Sequence, residues 1–240
     1  MRMLGVIGGM SWVSTVEYYR LLNEGVQKAL GGAHSARIVM SSVEFAEMAA
    51  WMARGDWSSV QNTLEVEARR LARCGAEAMI IASNTMHLYA SQVEAAAGVP
   101  VLHIADAVGS RIAAGPVRTV GLMGTRYSME KPFYRGRLQE KFGIECLIPE
   151  EDARGRINAI IFDELVAGKF VEESRSYVIG QAAELVRRGA GAIILGCTEL
   201  PLIVKEEDLA VPRFDTMTAH AEEGVRFLLG ASSSSRQPVD

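Results

Sequence analysis

One stretch of this chain occurs twice, and the repeat constrains the fold more than any other feature. Leu71-Ala-Arg-Cys-Gly-Ala-Glu-Ala-Met-Ile-Ile-Ala-Ser83-Asn84-Thr85 aligns without a gap on Leu185-Val-Arg-Arg-Gly-Ala-Gly-Ala-Ile-Ile-Leu-Gly-Cys197-Thr198-Glu199, at an offset of 114 (197 minus 83). A second pair agrees, because Gly5-Val-Ile-Gly8 matches Gly121-Leu-Met-Gly124 at an offset of 116 (121 minus 5). The chain therefore reads as a duplicated unit whose halves present equivalent residues, Ser83 and Cys197, across a shared cleft. Such a cleft suits chemistry that needs one group on each face of a substrate.

A chain of 240 residues accommodates one large α/β domain or two small ones, and the repeat favours two. Apolar residues make up 49% and charged residues 22%, enough to fill a core and keep it soluble. A net charge of −4 with no basic stripe argues against a nucleic-acid surface. Arg69-Arg70 and Arg187-Arg188 read as solvated pairs on helices. Three widely spaced cysteines do not make a disulfide framework and fit a reducing cytoplasm. The N-terminus runs straight into a strand without a signal peptide, and no apolar run approaches the roughly 20 residues of a membrane span. The expectation is a cytoplasmic protein with no membrane partner.

Short apolar runs alternate with longer amphipathic ones. The runs predict strands at Met3–Ile7, Arg37–Ser42, Ala78–Ala82, Val101–Ile104, Thr119–Met123, Glu145–Leu147, Ala192–Leu195 and Val211–Phe214. Helical patterns include Thr15–Ala29, Ser58–Arg73, Met129–Phe142, Glu172–Arg188 and Ala219–Leu229. Continuous apolar runs such as Met79-Ile80-Ile81 and Ile193-Ile194-Leu195 mark strands buried on both faces, so the class is α/β with parallel sheets. The first domain is expected over 1–115 plus 211–230, with the final helix packing back on it, and the second over 116–210. The polar, low-complexity segment 231–240 is expected to be disordered.

In open parallel sheets ligands bind beyond the carboxyl ends of the strands. That rule selects Gly8–Ser11, Ser83–Thr85, Gly124–Arg126 and Cys197–Glu199, and with them Met10, Ser11, Thr125 and Glu199 as substrate-binding candidates. The Gly8-Gly9-Met10-Ser11 turn precedes a helix with Ser14 or Thr15 as N-cap; its backbone amides favour a small anion. Its spacing matches neither a Walker loop nor a dinucleotide fingerprint. Cys197 follows a buried strand, where a helix N-terminus can lower a thiol and make it a base or nucleophile. Cys74 and Cys146 fit structural roles. Ser83 is a weak acid and a poor base unless a neighbour such as His87 or His103 assists it. Asn84, Thr85 and Thr198 are short hydrogen-bonding residues suited to carboxylate and ammonium groups. No ligand spacing supports a metal site.

Gly8-Gly9-Met10-Ser11, Asn84-Thr85-Met86-His87 and Gly196-Cys197-Thr198-Glu199 resemble the aspartate/glutamate racemase family, over about residues 3–229. Gly124-Thr125-Arg126-Tyr127-Ser128-Met129 and Phe214-Asp215-Thr216 resemble family segments as well. The resemblance implies two Rossmann-like domains related by pseudo-twofold symmetry, a site between them and a homodimer. It implies racemisation without pyridoxal phosphate or metal, one cysteine removing the Cα proton and its counterpart returning one. Cys197 matches the cysteine facing the L-enantiomer, and Ser83 stands where most members carry the other cysteine. Relatives with a hydroxyl residue there are associated with L-aspartate and L-glutamate. Arg54 and Lys169 match basic residues that clamp the side-chain carboxylate.

Racemisation has an equilibrium constant of one, so kcat/KM must be equal for the two enantiomers however asymmetric the site. Asymmetry shows instead in separate kcat and KM values, or in Cα exchange without inversion. A fast Cys197 step and a slow Ser83 step are expected. Two other readings compete. A decarboxylase of disubstituted malonates needs a single cysteine at the Cys197 position, and a dicarboxylate-binding protein needs none.

Overall fold

The computed structural model describes residues 1–230; the segment expected to be disordered, 231–240, lies outside the described residues. The chain forms two compact units: unit 1 holds Met1–Ala82, Tyr89–His103 and the chain from His220, and unit 2 holds Ser83–Leu88 and Ile104–Ala219.

Unit 1 contains β1 (Leu4–Gly8), α1 (Trp12–Leu30), β2 (Ile38–Ser42), α2 (Phe45–Arg54), α3 (Trp57–Arg73), β3 (Ala78–Ile81) and α4 (Ala90–Ala97). Its strands are parallel in the order β2-β1-β3. Unit 2 contains α5 (Ile104–Ala113), β4 (Thr119–Gly124), α6 (Arg126–Glu130), α7 (Pro132–Phe142), β5 (Glu145–Leu147), α8 (Glu151–Ala159), α9 (Glu172–Arg187), β6 (Ile193–Gly196), α10 (Leu200–Ile203) and β7 (Arg213–Asp215). Its parallel sheet runs β5-β4-β6-β7. A last helix, α11 (Thr216–Leu229), opens in unit 2 and continues in unit 1 from His220.

The two sheets carry the sequence repeat in their register. Gly5 pairs with Met79 in unit 1 and Gly121 pairs with Ile193 in unit 2. Adding 116 to the first glycine and 114 to its partner converts one pair into the other, so the two offsets describe one conserved strand pairing. In unit 2 successive residues of β6 alternate between two cores, as the two-residue period of a strand requires. Ile193 and Leu195 join Val178, Ala182 and Leu185 of α9, whereas Ile194 joins Ile104, Val108 and Ile112 of α5. Helices therefore cover both faces of the sheet.

Several expectations need correction. Val101–Ile104 is no strand: Val101 forms a single bridge to Met79, and Ile104 opens α5. The helix wins because Ile104, Val108 and Ile112 recur at helical spacing and bury against β4 and β6. The helix expected at Met129–Phe142 breaks before Pro132, where Lys131 is extended as a residue before proline must be. The N-cap of α1 is Ser11, not Ser14 or Thr15; its side chain accepts from the Ser14 amide. The units also divide elsewhere than expected. Residues 104–115 and 211–219 lie in unit 2, because α5 covers that sheet and β7 pairs with β6. The final helix does pack on unit 1: a Cβ on Gly224 would meet Leu22, Ile80 and Leu4, and Tyr18 bonds His220 at 2.9 Å.

Candidate functional site

Strands β4 and β6 end side by side on glycines, and the closeness of those ends frames the site. A Cβ on Gly124 would lie 2.5 Å from the Gly196 carbonyl oxygen, so a side chain there would force the strands apart. The residue after each glycine carries chemistry: Thr125 caps α6 and Cys197 leads toward α10. Ser83–Leu88 belongs to the same unit, although it follows β3 of unit 1.

Three links hold the Ser83-Asn84-Thr85 turn. Thr85 Oγ1 lies 2.9 Å from Thr125 Oγ1, which in turn lies 3.2 Å from Ser128 Oγ. Asn84 Nδ2 donates to Thr216 Oγ1 at 3.0 Å, and Thr216 Oγ1 donates to the Leu195 carbonyl at 3.0 Å. This direction fixes the Asn84 amide: the Thr216 proton goes to Leu195, so Thr216 must accept from the Asn84 nitrogen. Asn84 Oδ1 is left buried without a hydrogen-bond partner. A buried unpaired acceptor is costly, and an incoming ammonium would relieve it. His87 supplies the third link, donating from Nδ1 to the Ser83 carbonyl at 2.8 Å and accepting at Nε2 from the Ile104 amide at 3.2 Å. Both ring nitrogens are engaged, so His87 is not the base for the Ser83 hydroxyl that its spacing suggested. His103 closes a segment of unit 1 and is buried.

On the other side, Cys197 Sγ donates to Glu199 Oε2 at 3.1 Å, and Thr198 Oγ1 donates to the same oxygen at 2.7 Å. All three residues are buried. The expectation of a lowered thiol is overturned. Burial first, and then the negative charge of Glu199, hold the Cys197 thiol well above its usual range. The backbone N–H groups of Glu199 and Leu200 do pull it down, as a helix start should, but they are outweighed. Thr198 is also committed otherwise than expected, because its proton goes to Glu199.

The remaining candidates belong to both units. Lys169 is exposed in unit 2, between a 3₁₀ turn at Leu165–Ala167 and α9. Met10, Ser11 and Arg54 lie in unit 1, the first two buried and Arg54 exposed in the last turn of α2. Gly9 has φ +92, and a Cβ there would lie 2.2 Å from the Val43 carbonyl oxygen, so only glycine fits. Its amide, expected to face an anion, donates instead to Thr15 Oγ1 at 2.8 Å. Thr216 was not among the candidates. It is wholly buried, and only its 132-residue separation from Asn84 hid it.

Both units are built on parallel sheets, and unit 2 holds the thiol–carboxylate pair after β6 together with the hydroxyl-bearing Ser83 turn. The chain belongs to the Asp/Glu/Hydantoin racemase family, whose profile matches residues 7–224. It is similar to the solved structure of a candidate Asp/Glu racemase from Yersinia pestis, with 45% identity over 95% of this chain and 100% of that one, at a TM-score of 0.89. An aspartate racemase homologue from Pyrococcus horikoshii OT3 shows 31% identity over 95% and 100%, at a TM-score of 0.81. A glutamate racemase from Actinobacillus pleuropneumoniae is 24% identical over 114 residues, 48% of this chain and 41% of that protein. The match thus spans less than half the length of that curated relative. Among the described residues no helix is long and apolar enough to cross a membrane.

Proposed function

We propose that this protein racemises acidic amino acids, aspartate, glutamate or both, without a cofactor. The observation that carries the reading is the buried Cys197–Glu199 pair in the same unit as the Ser83 turn, with Asn84 Oδ1 unpaired. The proton passes from Cys197 Sγ to Glu199, and the thiolate removes the Cα proton of the L-enantiomer. Charge left on Cα spreads into the α-carboxylate. Ser83, or a water it holds, returns a proton on the opposite face, and solvent resets both sides. Asn84 Oδ1 receives the substrate ammonium, and Lys169 is the proposed partner of the side-chain carboxylate. The names of the relatives above, a glutamate racemase and an aspartate racemase homologue, support acidic substrates.

The raised thiol fits this cycle. A thiolate left permanently by a low pKa would be a weak base, whereas a desolvated thiol that yields its proton only to Glu199 gives a strong one. The protein is proposed to act as a homodimer in the cytoplasm. Supporting the dimer, Trp12, Val16 and Tyr19 recur along one face of α1 and are 70%, 54% and 56% exposed. Sedimentation velocity tests that, a monomer at all concentrations being the contrary result.

The deciding experiment is proton NMR of L-aspartate and L-glutamate with the protein in D₂O, followed by chiral chromatography. Loss of the Cα proton with D-product is the expected result. Loss of that proton without inversion would restrict the activity to Cys197, and an unchanged signal would sink the racemase reading.

A further inference from the structure

We propose that His87 is a positioning residue for the Ser83 side of the reaction, acting as the neutral Nδ1–H tautomer; this rests on the racemase reading above. The tautomer follows from the partners. The Ile104 amide is a donor and cannot accept, so His87 Nε2 must present a lone pair to it at 3.2 Å. The ring proton therefore sits on Nδ1 and is donated to the Ser83 carbonyl at 2.8 Å. The imidazole, 2% exposed, is thus a strut of fixed length between two backbone groups. One is the carbonyl of the residue that faces the substrate. The other is the first amide of α5, a helix anchored by Ile104, Val108 and Ile112 in the core beneath β4 and β6.

The strut matters because little else immobilises Ser83 itself. Asn84 and Thr85 are fixed through their side chains, by Thr216 and Thr125. Ser83 is fixed through its carbonyl. The His87 amide also bonds the Asn84 carbonyl at 3.2 Å, so the residue returns to the turn twice. At the repeated position in the other half a different device serves: Cys197 is held through its own side chain, by Glu199. Misplacing a reacting group by about 1 Å can cost on the order of 10²-fold in rate. Loss of the strut should therefore slow proton delivery from the Ser83 side and leave the Cys197 step alone.

Two substitutions separate the halves of the strut. In His87→Asn the side-chain nitrogen stands near the Nδ1 position and can still donate to the Ser83 carbonyl, but nothing reaches Ile104. In His87→Gln the longer amide reaches the Nε2 position and can accept from Ile104, while the Ser83 bond is lost. Each variant is incubated with L-aspartate in D₂O; deuterium at Cα of recovered L-aspartate reports Cys197, and D-aspartate reports Ser83. Thermal unfolding is recorded alongside. We expect His87→Gln to lose about tenfold or more in D-product while L-exchange stays within about twofold, and His87→Asn to recover most of the D-product. Equal losses of exchange and product in both variants, or full activity in both, would overturn the proposal. A wild-type protein that exchanges without inverting also overturns it, since no Ser83 step remains to be positioned. An inert wild-type protein removes the racemase reading and the proposal together, which distinguishes that failure from the others.

Discussion

The turns after β3 and β6 descend from one sequence pattern and are wired in opposite ways. Cys197-Thr198-Glu199 is built around a charge: two side-chain donors converge on one carboxylate oxygen. Ser83-Asn84-Thr85 is built from neutral groups, with Thr125, Thr216 and His87 as its partners. At the offset of 114, Thr85 stands where Glu199 stands and Ser83 where Cys197 stands. The Ser83 side therefore lacks both the thiol and the carboxylate that would take its proton. Under the proposed racemisation, the two copies share a scaffold but only one carries a thiol with a carboxylate acceptor.

The largest effect expected from breaking this asymmetry is at Cys197. Cys197→Ala should lower Cα exchange of L-aspartate by about 10⁴-fold, measured by NMR in D₂O, because general-base catalysis is worth about 10²–10⁴-fold. Retained exchange would mean the base lies elsewhere. Glu199→Gln should cost about 10²-fold in the same assay. It should also move the acidic limb of the kcat/KM profile to higher pH. The sign follows from the cycle: without a carboxylate to take the proton, the thiol must ionise by itself, and burial, the larger cause, still holds it above its usual range. An unchanged limb would remove Glu199 from the proton path.

Ser83→Cys sharpens the comparison from the other side. Racemisation should rise about tenfold, with kcat/KM gaining equally for both enantiomers. Adding Thr85→Glu should give a further gain, since the new thiol then acquires the acceptor that Cys197 has. A single substitution that already reached the rate of the double variant would show that the carboxylate is dispensable. Cys146 provides the smallest test, as a thiol without a carboxylate hydrogen bond. Burial pushes it up to about 12 from an ordinary 9.0. Its folded value lies above its unfolded one, so its contribution is full below the unfolded value and is lost as pH rises toward the folded one. Urea unfolding should show wild type losing up to about 1.4 kcal/mol per pH unit more than Cys146→Ala across that window. Parallel slopes would show that this thiol ionises alike in both states.

These expectations draw on features the sequence made legible to different degrees. The positions beyond the strands were legible because β4 and β6 are apolar runs that stop on Gly124 and Gly196, and the repeat placed Ser83 opposite Cys197 in the alignment. The state of the thiol was not, since it depends on how deeply Cys197 is buried and how near Glu199 comes. A carboxylate two residues away was the available clue, but the helix-start argument points to the opposite sign. Thr216 lies in the Phe214-Asp215-Thr216 segment that resembles the family, but its bond to Asn84 spans 132 residues and was not legible. Ile104 shows a third kind of miss: Val101, Leu102 and Ile104, three apolar residues in the four after Pro100, look like a strand until the periodicity through Ile112 is included. Residues 104–115 went to the wrong unit for the same reason.

The path of the chain has a consequence for how the protein is made. The polypeptide passes from one unit to the other after Ala82, returns at Tyr89, leaves after His103 and comes back at His220. Met1–Ala82 of unit 1 precedes unit 2 along the chain, yet α11, which places Gly224 against Leu4, Leu22 and Ile80, follows all the strands of unit 2. The first sheet must therefore wait with that patch uncovered until the second has been translated. No single cut yields either unit with its core intact, and a nascent chain halted before Thr216 would expose apolar surface that chaperones recognise.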